Sequence, residues 1–246
     1  EDLSLGNILI SCFFLKYKNF NKSLELVQNY LDIKKNKVYN VTNGKNLFLI
    51  ALLENGDIIE DEEKLVGYRH KYKIEDIFLI KKKFSDKFLN NLKFKDKNYK
   101  TKILKKFNIY PNLNNKLKKL LLKTDIIIYG PGTQFSSLFP SYLTKSLSNI
   151  IVKSKAKKFL ITNIYHDNDI VNENADSIIK KFNFFLNKVN NKKFSKDKFV
   201  NFYFVNKFDD DDINLPQKKN YLTFNNNKNY TLLDWEKGKG LHYPNW

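Results

Sequence analysis

The sequence predicts an α/β fold: a Rossmann-like parallel sheet with helices on both faces and a local antiparallel hairpin. Three observations predict it. From residue 111 onward helical and strand-like patterns alternate, the signature of βαβ units with right-handed crossovers. The run "DIIIYG" at 125–130 is apolar on both sides, as a parallel strand covered by helices on both faces must be. Earlier, Asn55-Gly56 stands between two apolar runs, a hairpin signal because both residues tolerate positive φ.

The elements follow in order. In "GNILISCFFLKYKNFNKSLELVQNYLDI", Leu9 and Phe13, then Leu24, Val27 and Leu31, recur at helical spacing, and Asn21 or Ser23 can cap the second helix. "KVYNV" and "NLFLIALLENGDIIE" read as the antiparallel excursion, and "DIFLI" (76–80) as a further strand. The lysine-rich stretch at about 83–108 is polar and weakly periodic, so it reads as a surface insertion. In "PNLNNKLKKLLLK", Pro111 is placed to start a helix, with Leu113, Leu117, Leu120 and Leu121 on one stripe. After "DIIIYG" come a mostly helical stretch, "SSLFPSYLTKSLSNIIVKSK", and a buried strand, "KKFLITNI". A helix follows with Ala175, Ile178, Ile179, Phe182, Leu186 and Val189 on one face, then a last strand, "FVNFYFV".

With 246 residues and 42% hydrophobic content, the chain can bury one core, and a single domain over 1–246 is expected. No apolar run approaches the ~20 residues that cross a bilayer, and "EDLSLGN" lacks the basic-then-apolar pattern of a secretory signal. The expectation is a cytoplasmic protein that does not engage a membrane. Cys12 is the single cysteine, which excludes an intrachain disulfide, and its place in an apolar helical pattern predicts core packing. The absence of methionine and the start at Glu1 read as a segment of a longer polypeptide.

Forty-four basic against twenty-six acidic residues leave a net charge of +18, which raises the question of nucleic acid. The distribution argues against it. Lysines are scattered through nearly every segment, Arg69 is the one arginine, and no stretch interleaves aromatic and Arg residues as a single-strand groove does. The charge reads as a solvated surface with weak, sequence-indifferent affinity for polyanions.

The chemistry concentrates where "DIIIYG" ends, in "GPGTQFSS". In parallel α/β sheets ligands sit beyond the carboxyl ends of strands, where loops enter helix N-termini. Gly130 and Gly132 let backbone approach a ligand, Pro131 fixes the turn, and Thr133, Gln134, Ser136 and Ser137 bring hydroxyl and amide donors to the positive end of the next helix. A second reading fits these residues equally: Gly-Pro-Gly ends the strand, and Thr133 or Ser136 caps the helix. The loop is neither a Walker A motif, which needs Lys-Ser/Thr after its second glycine, nor GxGxxG.

At this loop the chain resembles the CofD family, which contains 2-phospho-L-lactate transferase and the bacterial gluconeogenesis factor YvcK. "LGNILI", "TDIIIYGPGTQFSSLFPSYL" and "KKFLITNI" match, in order, the family's Gly-Asn helix start, its strand ending in Gly-Pro-Gly-Ser/Thr, and its later strand ending at Asn. The resemblance implies a Rossmann-like fold that binds a nucleotide diphosphate. It places Asn7, Gly130, Gly132, Thr133, Ser137 and Asn163 around that ligand. A Gly-rich strand-turn that the family carries before the Gly-Asn helix is not found in these residues, and "IYHDNDI" replaces the Thr-Gln-Pro-Gly type loop of the gluconeogenesis-factor branch.

In that replacement loop, with His166, Asp167 and Asp169, the carboxylates could offer oxygen ligands to Mg²⁺, a candidate cofactor, or the residues simply form a solvated loop with Asp capping the next helix. Asp209 to Asp212 read as an exposed acidic run, Trp235 as a packing anchor, and His242 as a lone histidine without context. No catalytic residue and no redox prosthetic group is indicated. Two functions are expected from the resemblance. One is a transferase moving a phosphate-linked group from a nucleotide-activated small molecule, and the other a noncatalytic regulator binding a nucleotide or nucleotide sugar. A homodimer is the candidate assembly.

Overall fold

A computed structural model of the chain describes residues 4–33, 38–66, 72–163, 170, 173, 175–206 and 221–224. The chain opens with two helices, α1 (Leu5–Tyr17) and α2 (Phe20–Tyr30), packed on each other. Ser4 starts α1 by accepting from the Asn7 N–H, and Lys18 ends it at φ 51° with its N–H on the Phe14 carbonyl. Because the chain reverses at Lys18, the first extended residue is Asn19. Its side chain accepts from the Lys22 N–H and caps α2, instead of Asn21 or Ser23. Ser23 lies buried inside the helix and donates to the Asn19 carbonyl, while Asn21 reaches across to the Thr42 carbonyl. Cys12 also departs from expectation. It is exposed, because no described element covers that face of α1: none of the helix's residues is buried among the described ones.

An antiparallel sheet follows, in the order β2-β1-β3, from β1 (Phe48–Leu53), β2 (Ile58–Glu60) and β3 (Ile74–Ile80); a short α3 (Glu62–Val66) joins the last two. "KVYNV" adds no strand; the chain there makes a single bridge, Thr42 to Leu113. In the β1–β2 hairpin only Gly56 takes positive φ, at 86°, and Asn55 does not. The Gly56 N–H bonds to the Leu53 carbonyl and the Leu53 N–H to the Asp57 carbonyl, which makes a three-residue loop closed by a glycine bulge.

β1 is buried on both faces. Leu49, Ala51 and Leu53 enter the main core, and Ile50 and Leu52 form a second cluster with Phe78, Ile80 and Leu104. The polar stretch read as a surface insertion supplies this second cover. It folds as a helical pair, α4 (Asp86–Lys93) and α5 (Lys97–Phe107), capped by Ser85 and Asp96, and lowers Leu104 onto the sheet.

α6 (Asn115–Leu121) begins after Asn114, whose side chain caps it; Pro111 lies before the helix, where its carbonyl accepts from the Lys145 N–H. β4 (Ile126–Tyr129) then opens a parallel sheet in the order β4-β5-β6-β7. A π-helical turn (Gln134–Leu138), α7 (Phe139–Tyr142) and α8 (Leu147–Lys153) lead to β5 (Lys157–Ile161). α9 (Ala175–Lys188) and a 3₁₀ turn (Lys196–Lys198) lead to β6 (Phe202–Asn206), and β7 (Tyr221–Phe224) completes the parallel ladder.

The main core joins one face of each sheet: Ile127, Tyr129, Leu160 and Tyr203 meet Phe135, Phe139, Phe182 and Phe185 from the helical layer, with Ile77 and Leu79 beyond. At about 25 cal/mol per Å² of apolar area, burying each of these aromatic rings contributes on the order of 2 to 3 kcal/mol. The α/β architecture, parallel sheet and antiparallel excursion agree with the sequence reading. β4 itself is covered on one face by the described residues: Ile127 and Tyr129 are buried, whereas Ile126 and Ile128 are exposed. Among the described residues no helix is long and apolar enough to cross a membrane.

Candidate functional site

The loop after β4 sits at the carboxyl end of the parallel sheet, where β5 also ends, and the register aligns Tyr129 with Leu160. Two residues past the end of β5, Asn163 meets the loop. Its side-chain oxygen accepts from the Gly132 N–H at 3.3 Å, and its side-chain nitrogen donates to the Gly132 carbonyl at 2.9 Å. Gln134 joins them, donating to the Gly132 carbonyl at 3.1 Å and to the Asn163 oxygen at 2.8 Å. The two amides are thus engaged with the loop's own backbone. Their role is to fix the conformation of Gly-Pro-Gly.

Gly132 holds φ +150°, a conformation that L side chains rarely adopt, so glycine is required there by the backbone. Gly130 has a different role. A Cβ built on it meets nothing within 4 Å, so the space beside it is open.

The helix that follows starts as a π turn, with the Leu138 N–H on the Thr133 carbonyl and the Phe139 N–H on that of Gln134. Such wide turns recur at functional sites. Thr133 makes no side-chain cap; its hydroxyl donates instead to Ser137 Oγ at 2.8 Å, and Ser136 Oγ lies 3.5 Å from the same oxygen. Three hydroxyls therefore gather on one turn, with Ser137 exposed and Ser136 buried.

The turn is anchored from below by a charge network that the sequence did not single out. Lys181 on α9 bonds to the Ile74 carbonyl and to Glu173, and its Nζ lies 4.7 Å from the centre of the Phe135 ring. Glu173 is 5% exposed, so this lysine neutralises a carboxylate held away from water. Nearby, burial drives the hydroxyls of Tyr129 and Tyr142 well above the ordinary tyrosine range, so both remain neutral. Nothing local in the sequence marked Lys181, since its partners lie 8 and 107 positions away.

Of the residues read as site candidates, the structure brings Gly130, Pro131, Gly132, Thr133, Gln134, Ser136, Ser137 and Asn163 together. Asn7 is exposed on α1, where its N–H serves the Ser4 cap, and among the described residues no hydrogen bond links it to the loop. The Mg²⁺ candidates Asp167 and Asp169 lie outside the described residues, as do His166, Asp209 to Asp212, Trp235 and His242. Among the described residues no group of three or more His, Cys, Asp or Glu side chains is placed to hold a metal ion. The loop itself presents hydroxyls, amides and backbone, which suit an anion better than a cation.

Comparison with known proteins agrees with this arrangement. The family described as "2-phospho-L-lactate transferase CofD" matches residues 1–234. A protein of Clostridium acetobutylicum named "Putative gluconeogenesis factor" is 25% identical over 187 residues, 73% of this chain and 35% of that protein. A protein of the same name from Aquifex aeolicus is 21% identical over 165 residues, 67% of this chain and 42% of its own length. The chain therefore spans well under half the length of the curated relatives it matches. The crystal structure of a UPF0052 family protein from Bacillus halodurans superposes with a TM-score of 0.59 at 18% identity, over 83% of this chain and 54% of that one, which supports the fold. With a family match across nearly the whole sequence, and the Gly-Pro-Gly loop and its Asn163 partner in place, the chain belongs to the CofD family.

Proposed function

We propose that the Gly130–Ser137 loop binds the diphosphate of a nucleotide-activated small molecule, and that the chain transfers the phosphate-linked group of that donor to an acceptor. One observation carries the binding half of this reading. Asn163 grips Gly132 through both its N–H and its carbonyl, which holds the Gly-Pro-Gly backbone open at the strand ends ahead of a turn that Thr133 does not cap. A preorganised backbone of this kind receives phosphate without paying for loop ordering at the moment of binding. Ser137 accepts from Thr133, and its exposed hydroxyl is the side-chain donor best placed to meet a phosphate oxygen.

In the transfer step an acceptor hydroxyl attacks the phosphorus distal to the nucleoside. The bond from that phosphorus to the bridging oxygen breaks, nucleoside monophosphate leaves, and the hydroxyl proton passes to solvent. The loop's part is positioning and relief of charge on the diphosphate. Mg²⁺, if bound, would neutralise part of that charge. The described residues at the loop do not form a carboxylate site for it, and no step is assigned to it.

The names of the relatives favour a second reading, a regulator that binds a nucleotide or nucleotide sugar and leaves it unchanged. Calorimetry with uridine and guanosine diphosphates on the wild type and Asn163→Ala tests the binding. Saturable binding that the substitution weakens at least tenfold is expected, and equal affinity would refute it. Phosphorus NMR of the protein with a nucleotide-activated phospholactate and an acceptor alcohol then separates the readings: nucleoside monophosphate appears if the chain is a transferase, and the donor persists if it is a regulator.

A further inference from the structure

Away from the loop, β2, α3 and the α4–α5 pair enclose a cleft of about 710 Å³. The volume falls in the size range of small-molecule sites. Its floor is apolar, with Leu53 and Ile58. Around the rim stand three lysines from three different elements: Lys64 of α3, Lys93 of α4 and Lys100 of α5.

Lys100 is the most informative of them. It is only 6% exposed, and its Nζ bonds to the Gly56 carbonyl at 2.8 Å, so a cation has been drawn into the cleft and fixed there by the glycine of the hairpin. An ammonium carries three donors, and this bond uses one. No carboxylate among the described residues pairs with Lys100, Lys64 or Lys93. Two carboxyls also face this space: Asp57, which is held by the Asn55 side chain, and Glu60, whose Oε1 is buried with no hydrogen-bond partner among the described residues. Burial, and after it the neighbouring Asp61, raise the Glu60 carboxyl above its ordinary range, with Lys64 and Lys83 pulling the other way. A concave apolar floor and a buried cation with spare donors are what a ligand with an anionic head and an apolar body requires.

We propose that this cleft is a second small-molecule site, separate from the Gly-Pro-Gly loop, and that it takes a small organic anion whose charged group meets Lys64, Lys93 and Lys100 while its apolar body covers Leu53 and Ile58. The reading does not depend on what the loop binds.

Ligand-observed NMR titrations with phenyl phosphate and, separately, benzoate test it; the pair distinguishes a phosphate ester from a carboxylate as the anionic head. Saturable binding of at least one is expected. The Lys64→Ala/Lys93→Ala double variant, which alters two solvent-facing side chains and should keep the wild-type melting temperature, should bind about tenfold more weakly. Glu60→Gln, which keeps the shape and removes a carboxylate that faces the ligand, should bind as well as the wild type or better. Gly132→Ala at the loop should leave probe binding unchanged. Failure of both probes to saturate overturns the proposal, and so does a double variant that binds like the wild type. Loss of probe binding in Gly132→Ala would place the probes at the loop and overturn it as well.

Discussion

Asn163 and Gly132, thirty-one positions apart, exchange two hydrogen bonds: the glycine N–H goes to the Asn163 side-chain oxygen, and the Asn163 side-chain nitrogen to the glycine carbonyl. The side chain thereby imitates a strand pairing where β5 has already ended, and the loop is held as if the parallel ladder continued. Asn163→Ala should therefore cost about 1 to 3 kcal/mol, because it strands partly buried polar groups. Asn163→Asp keeps the acceptor but sets a carboxylate oxygen against the Gly132 carbonyl, and should be no better than alanine. Thermal melts of both variants, beside nucleotide calorimetry, check this. Wild-type stability in Asn163→Ala would mean the bonds do not hold the loop.

Gly132 itself is constrained by its φ of +150°. The nearest atom to an added Cβ would be Leu138 Cδ1 at 3.7 Å, an ordinary contact, so the cost of Gly132→Ala is one of backbone strain and not of steric clash. A loss of about 1 to 3 kcal/mol is expected in denaturant unfolding. Gly130→Ala, with open space around it, should cost less than half as much. Equal effects would contradict the assignment of strain to Gly132 alone.

Lys181 and Glu173 form a second link, from α9 to the underside of the π turn. Removing the cation leaves a carboxylate that is 5% exposed without its partner. Lys181→Met is expected to destabilise the fold by about 3 to 5 kcal/mol, and the double variant Lys181→Met/Glu173→Leu to recover much of the loss. Urea denaturation of the three proteins measures the coupling, and additive losses would show that the pair is not energetically linked.

Glu60 gives the stability curve a defined slope. Burial, then Asp61, raise its folded pKa above the ordinary 4.5, so the native state holds this proton more tightly than the unfolded chain. The stabilisation is complete below 4.5 and is lost as pH rises through the folded value. Melting temperature of the wild type relative to Glu60→Gln should fall across that interval and level off above it. A difference that stays flat, or that rises with pH, would show that the carboxyl is not perturbed in this direction.

Cys12 lies on the exposed surface of α1. A native-state titration with a chromogenic disulfide reagent should label one thiol per chain without denaturant, at a rate unaffected by mild urea. A thiol that reacts only on unfolding would restore the core reading of this residue.

The sequence by itself determined the opening helices, the parallel second half, the hairpin at Asn55-Gly56 and the loop where chemistry concentrates. These are local properties, set by periodicity, by turn chemistry and by strand length. Tertiary structure decided which positions those patterns serve. The family resemblance implies Asn163 as a residue lining a ligand, and only the alignment of two strand ends turns its amide onto Gly132. Cys12 sits in an apolar pattern, yet burial depends on a covering surface, and among the described residues α1 has none over that face. Lys181, Glu173 and Lys100 carry no local signal, because the groups that hold them, the Ile74 and Gly56 carbonyls among them, come from strands and turns far along the chain. A buried charge is specified by what the fold brings to it, and a single stretch of sequence does not contain that information.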